Sequence, residues 1–150
     1  MIKIICIGKI KEDFYKNAIN EYKKRISKYT SIEIIELSDY SYDIKKSMLL
    51  EYNSIKKVLN KSDYNILLDI KGKELDSLSF AKKIEDVLIT NSNITFIIGG
   101  SNGVLEELRN EVDYCLSFSK MTFPHQLFRV ILLEQIYRCY KINNNEEYHK

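Results

Sequence analysis

The chain has 150 residues, 45% of them hydrophobic and 29% charged, which suits one compact domain with a single sizeable core and leaves too little for two. A formal charge of +2 neither demands nor excludes a nucleic-acid partner, no apolar run approaches the ~20 residues of a membrane span, and no basic-then-apolar leader opens the chain, so a cytoplasmic protein is expected. Cys6, Cys115 and Cys139 are odd in number and lie among apolar neighbours, as reduced buried thiols do, and with only two histidines no metal site is expected.

Met1 to Ile7 is a β-branched run that predicts a first strand. From Asp13 the pattern changes: Tyr15, Ile19, Tyr22, Ile26 and Tyr29 recur at spacings of three and four, the stripe of an amphipathic helix. Residues 1 to 30 also hold eight Lys or Arg, including Lys23, Lys24 and Arg25, against three acidic residues. That excess could meet phosphates or be an ordinary solvated face. Ile32 to Leu37 predicts a second strand, and Ile44, Met48, Tyr52, Ile55 and Leu59 a second helix. Tyr64 to Ile70 is a third strand, apolar enough to be covered on both faces.

Asp76 or Ser77 can cap a third helix carrying Phe80, Ala81, Ile84, Val87 and Leu88. Ile94 to Ile98 is a fourth strand, Leu105 to Val112 a short helix, and Tyr114 to Phe118 a fifth strand. The last helix, from Pro124 to about Ile142, is apolar on more than one face through Leu127, Phe128, Val130 to Leu133, Ile136, Tyr137 and Tyr140. One sheet covers only one side of such a helix, so a homodimer burying the other side is expected. Alternating strands and helices predict an α/β fold with a mostly parallel sheet, whose ligands sit beyond the carboxyl ends of the strands.

Glycine marks that edge. Gly72 follows the third strand, Gly99, Gly100 and Gly103 follow the fourth, and Pro124 closes the segment after the fifth, whereas the first 71 residues hold only Gly8. Gly99-Gly100-Ser101-Asn102-Gly103 has neither the dinucleotide fingerprint nor the lysine of a P-loop. The region after the first strand, Ile7 to Lys11, lacks the acidic or hydroxyl-rich residues of response regulators and flavodoxins. A pocket of backbone groups and apolar side chains suits an adenosine-like ligand. The same glycines could also serve as plain tight turns.

Phe96 to Gly103, Leu116 to His125, Arg129, Tyr137-Arg138 and the ending Tyr148-His149-Lys150 closely resemble the bacterial ribosomal RNA large subunit methyltransferase H family; Ile4 to Lys11 and Leu68 to Lys73 match as well. The resemblance spans the chain and implies one SPOUT methyltransferase domain over residues 1 to 150: a parallel sheet flanked by helices, with a C-terminal trefoil knot that holds S-adenosylmethionine. It implies homodimers that methylate N3 of a pseudouridine in the 23S rRNA stem-loop at the subunit interface of assembled 70S ribosomes, with no DNA or membrane partner. A non-catalytic RNA- or ribosome-binding homodimer of the same fold is the alternative.

By motif position the resemblance implies that Leu68, Gly99, Gly100, Gly103 and the run Phe118, Ser119, Lys120, Met121, Thr122 and Phe123 form the methyl-donor pocket. Lys120 is expected to contribute backbone. His125 follows that run and can face the donor, while Tyr148 and His149 belong to a polar tail that must fold over the site to act. Arg129 and Arg138 are candidates for phosphates, with an intersubunit ion pair, for instance to Glu134, the competing role above all for Arg138, and Lys23, Lys24 and Arg25 are candidate RNA contacts. Asp69 suits a helix-cap or loop-bracing role better than that of a base.

Overall fold

In the computed structural model, which describes residues 1–150, the chain alternates strand and helix throughout. The elements are β1 (Ile2–Ile7), α1 (Asp13–Ile26), β2 (Ile32–Leu37), α2 (Ile44–Val58), β3 (Tyr64–Glu74), α3 (Ser77–Thr90), β4 (Ile94–Ile98), α4 (Glu106–Glu111), β5 (Tyr114–Ser117) and α5 (His125–Asn143). The five strands form one sheet in the order β2-β1-β4-β3-β5, and every pairing is parallel. Parallel neighbours need a crossover between them, and here each crossover is a helix that runs back across the sheet.

Side chains alternate across each strand, so each strand feeds two cores. Ile2, Ile4 and Cys6 of β1, with Ile66, Leu68, Ile94, Phe96, Ile98 and Leu116, meet α1, α3 and α5 on one face. Ile5, Ile7, Leu67 and Ile97 meet Ile55 of α2 and Leu108 of α4 on the other. This two-sided burial explains the unbroken apolar runs of β3 and β4.

The breadth of apolar surface on α5 finds an explanation inside the chain. Leu132, Leu133, Ile136 and Cys139 are buried, and the helix lies between α1 and α3, so that none of its residues is fully exposed. Flanking helices thus cover much of the apolar surface of α5, and Leu127, Phe128, Val130 and Ile131 stay partly exposed. Tyr29, just past the end of α1, stacks on Tyr140 at 5.4 Å and continues that seam.

Arg129 also lies on the buried stripe of α5 and is 1% exposed. Expected to reach a phosphate, it points instead into the protein. Its Nη1 donates to Glu36 Oε2 at 2.6 Å, and its Nη2 donates to the backbone oxygens of Ile7 at 3.2 Å and Gly8 at 2.6 Å. Glu36 Oε2 also accepts from the Ile10 backbone N–H at 2.8 Å. The guanidinium thereby fastens α5 to the ends of β1 and β2. Gly8 takes φ +91°, a left-handed turn that presents its carbonyl to Arg129. Removing the cation leaves buried acceptors without a donor, so Arg129→Ala is expected to cost roughly 3 kcal/mol. Urea unfolding measures this, and an unchanged midpoint would contradict the role.

Candidate active site

The order β4-β3-β5 puts three strand ends side by side, and the turns leaving them enclose a hollow of about 380 Å³. Leu68, Asp69 and Ile70 come from β3, residues 98 to 104 from β4 and its glycine loop, and residues 116 to 119 with 121 to 123 from β5 and the segment beyond; His125 and Phe128 of α5 close it. The volume falls within the ~300–1,000 Å³ usual for small-molecule sites.

Each wall has a local cause. At β3 the ladder with β5 breaks: Leu116 pairs with Leu68 and again with Lys73, so residues 69 to 72 bulge out of the β5 ladder before it resumes. This detour carries β3 past the expected end at Ile70. Gly72 is essential to it, since a Cβ there would lie 2.7 Å from the Cys115 carbonyl carbon and oxygen. Asp69 braces the detour: its Oδ2 accepts from Arg109 Nε of α4, and its Oδ1 accepts from the Lys71 N–H at 3.3 Å. The bracing role expected of Asp69 is the one its contacts describe.

In the second wall, Gly103 takes φ +82° and its N–H donates to the Gly100 carbonyl at 3.1 Å, closing a tight turn. A Cβ on Gly99 would lie 2.5 Å from Val104 Cγ1, and one on Gly100 would lie 2.7 Å from a carboxylate oxygen of Glu51. In the third wall, Ser117 Oγ donates to the Ser119 carbonyl at 2.9 Å, and Ser119 Oγ accepts from the Met121 N–H at 3.0 Å. These two bonds shape residues 117 to 121 without any regular structure. Phe118 and Phe123 both pack on Phe128, edge-on at 5.1 Å and stacked at 5.9 Å.

Of the residues expected at a donor pocket, Leu68, Gly99, Gly100, Gly103, Phe118, Ser119, Met121, Thr122 and Phe123 line the hollow, and so does His125. Lys120 does not; its side chain is exposed, which leaves only its backbone near the loop. Lys23, Lys24 and Arg25 lie in the last turn of α1. Since α1 runs back from the strand ends, they stand roughly 20 Å from the hollow's edge of the sheet. Lys9 and Lys11 are exposed in the β1–α1 connection, on the same edge as the hollow.

The tail does fold back. Tyr148 Oη donates to Glu134 Oε1 at 3.0 Å, and its ring meets Tyr137 edge-on at 4.9 Å. Burial, reinforced by the bond to Glu134, pushes the Tyr148 hydroxyl up to about 12, so it stays a protonated donor near neutral pH. Arg138 pairs with Glu134 inside its own chain, Nη2 donating to Glu134 Oε1 at 2.6 Å, rather than across subunits as the role competing with phosphate had it. His149 lines a second hollow of about 530 Å³, bounded by Leu116, Phe118 and Phe123, which also bound the first. The two histidines therefore stand on opposite sides of one aromatic partition.

Sequence reasoning missed Glu51. It is 6% exposed beneath the glycine loop, and its signal was its spacing, three residues after Met48 and four before Ile55 on the apolar stripe of α2. Burial raises its carboxyl above the usual range; the Tyr40 backbone N–H opposes this and Asp39 adds to it. Cys6 and Cys139 are buried with thiols pushed up by desolvation, Cys6 to about 11, so neither is a ready nucleophile.

The family model described as "Predicted SPOUT methyltransferase" matches residues 1–149. Proteins named ribosomal RNA large subunit methyltransferase H in Clostridioides difficile and Fusobacterium nucleatum are 49% and 48% identical over 99% of both chains. A Methanococcus maripaludis protein given that name provisionally is 54% identical over the same share. Both kinds of match are to methyltransferases, and no helix is long and apolar enough to cross a membrane. The chain belongs to the ribosomal RNA large subunit methyltransferase H family within the SPOUT methyltransferases.

A raised folded pKa at Glu51 means that its ionised form costs stability. That cost is absent in acid, appears as pH rises above the ordinary glutamate value near ~4.3, and is complete above the folded pKa. Glu51→Gln is therefore expected to raise Tm by a few degrees at about pH 8 and by little at about pH 4. Calorimetric scans at the two pH values test this, and a gain independent of pH would contradict it.

Proposed function

We propose that the chain binds S-adenosylmethionine in the 380 Å³ hollow and methylates N3 of a pseudouridine in the 23S rRNA stem-loop at the ribosomal subunit interface. The supporting observation is convergence: nine of the ten residues assigned to the donor pocket by motif line one hollow, with His125 beside them. The names of the relatives point to large-subunit rRNA as substrate. Bound there, the donor supplies an electrophilic methyl carbon, whose bond to sulfur breaks toward sulfur as the bond to nitrogen forms.

The residues present fit such a ligand. Gly99 and Gly100 leave backbone bare where any Cβ would collide with Val104 or Glu51. The glycine loop and residues 117 to 123 offer backbone groups that can read an adenine edge, while Leu68, Phe118 and Phe123 give a weakly polar wall. A dry surround favours loss of the sulfonium charge. Met121, 76% exposed, and Phe123, 39% exposed, stand at the rim.

The reading includes a trefoil knot. One residue of β5, Leu116, partnered by two residues of β3 that lie five positions apart, is the pattern expected when residues 69 to 74 wrap around β5. It also includes a cytoplasmic homodimer acting on the assembled 70S ribosome. Ile70, Leu78, Met121 and Phe123 are exposed apolar groups near the two hollows and would be covered by a second copy. His125 would face the methyl acceptor from the first turn of α5. Exposed Lys9 and Lys11, on the same sheet edge, are better placed for RNA phosphates than Lys23, Lys24 and Arg25.

Two measurements test the reading. Labelled methyl should enter 23S rRNA when the protein meets ribosomes from a strain lacking it, and ribosomes that stay unlabelled would refute the activity. In calorimetric titration, Gly99→Val should weaken S-adenosylmethionine binding by at least about tenfold, the loss of roughly 1.4 kcal/mol. Unchanged affinity would move the donor elsewhere.

A further inference from the structure

Among the residues that line the first hollow, Asp69 is the only one with a carboxylate. It follows Leu68, the last residue of β3 paired with β4, and opens the bulge from the β5 ladder. Side chains alternate along a strand, so while Leu68 joins the core on the α5 side, Asp69 turns to the other face and meets α4. Its side chain is 7% exposed there, and Oδ2 accepts from Arg109 Nε. Arg109 is held in turn by Glu106, whose Oε2 accepts from Nη1 at 2.6 Å.

Bracing the bulge uses mainly one of the two oxygens. Oδ1 has only the Lys71 N–H, at 3.3 Å, beyond the roughly 2.7–3.2 Å usual for such bonds, although a carboxylate oxygen carries two lone pairs. A nearly buried acceptor so thinly partnered is costly unless a donor reaches it from the hollow it borders. The methyl donor has such a group in the middle of its length. Its adenine and its sulfur are joined through a ribose, whose 2′ and 3′ hydroxyls form a vicinal diol. With the adenine at the glycine loop after β4 and the sulfur beside Phe118 and Phe123 after β5, the ribose has to cross the strand between them. That strand is β3, and of Leu68, Asp69 and Ile70 only Asp69 has polar side-chain atoms.

On the functional reading above, which puts the donor in this hollow, we propose that Asp69 binds the ribose diol of the methyl donor through Oδ1 while Oδ2 stays with Arg109. An acidic side chain likewise takes a ribose hydroxyl in dinucleotide-binding sheets. The pairing with Arg109 keeps the carboxylate from turning away when the hollow is empty, so little side-chain order has to be gained on binding. Asp69 also lies on the other side of the sheet from Phe123, which stacks on Phe128 of α5, so a second copy covering Phe123 does not occupy the diol site.

Calorimetric titration with S-adenosylhomocysteine, which keeps the ribose and lacks the transferable methyl, and with its 2′-deoxy and 3′-deoxy forms tests this. In the unaltered protein at least one deoxy form is expected to bind about tenfold or more weakly than the parent, as loss of a hydrogen bond to a charged group implies. A smaller loss for both forms overturns the proposal, and that arm requires no variant to fold. In Asp69→Ala the penalty is expected to shrink to about threefold or less, and in Asp69→Asn, which keeps the side-chain shape beside Arg109, to fall at least about threefold from its value in the unaltered protein. A residue that only braces the bulge would weaken all three ligands alike, so a penalty left intact in the variants also overturns the proposal. If the unaltered protein binds neither S-adenosylmethionine nor its homocysteine product, the functional reading fails and the diol site with it. If it binds them and a missing hydroxyl costs nothing, the functional reading stands and the diol site alone fails.

Discussion

Everything at the site depends on β4, β3 and β5 being parallel neighbours. Parallel pairing brings their carboxyl ends to one edge of the sheet, and the order β4-β3-β5 makes those ends adjacent. Three segments, beginning at residues 68, 99 and 117, then have to share one hollow. The apolar runs of β3 and β4, buried on both faces, hold that adjacency. Loop chemistry only decides what the hollow accepts.

Two charged residues in the core support the same edge from opposite sides of the sheet. Arg129 ties α5 to the ends of β1 and β2, and Glu51 lies beneath Gly100 on the α2 side. Burying a charge is costly unless it is well paired. Arg129 meets this with a carboxylate and two carbonyls, although its Nε has no partner. Glu51 meets it less completely, which is why its carboxyl is pushed up. Arg129 thus secures the strand ends through its hydrogen bonds, while Glu51 occupies the space beneath Gly100.

Most of the architecture was legible because hydrophobic period reports burial directly. β1, β2, β4 and four of the five helices lie within a residue or two of where periodicity and capping put them, α1 stops at Ile26 short of the expected Tyr29, and Asp76 caps α3 by accepting from the Ser79 N–H. What periodicity could not reveal is pairing without burial. Lys73 and Glu74 resume the β5 ladder with largely exposed side chains, so nothing in their pattern marks a strand. Glu51 and Arg129 were misjudged for a related reason: a charged residue on an apolar stripe reads as surface until its partner, distant in sequence, is known. The glycine loop and the segment 118 to 123 were legible from composition and motif. The latch of Tyr148 and His149 onto α5 comes from specific polar contacts that no period encodes, and only their motif marked them.

The central claim is that the three turns at residues 68 to 72, 99 to 103 and 117 to 123 grip one methyl-donor molecule. A crystal structure of the chain with S-adenosylmethionine tests this most directly. The account predicts donor density enclosed by all three turns, its adenine against backbone groups of the glycine loop and its sulfur near the Phe118–Phe123 partition. Density seated elsewhere on the molecule, or touching only one of the turns, would contradict it.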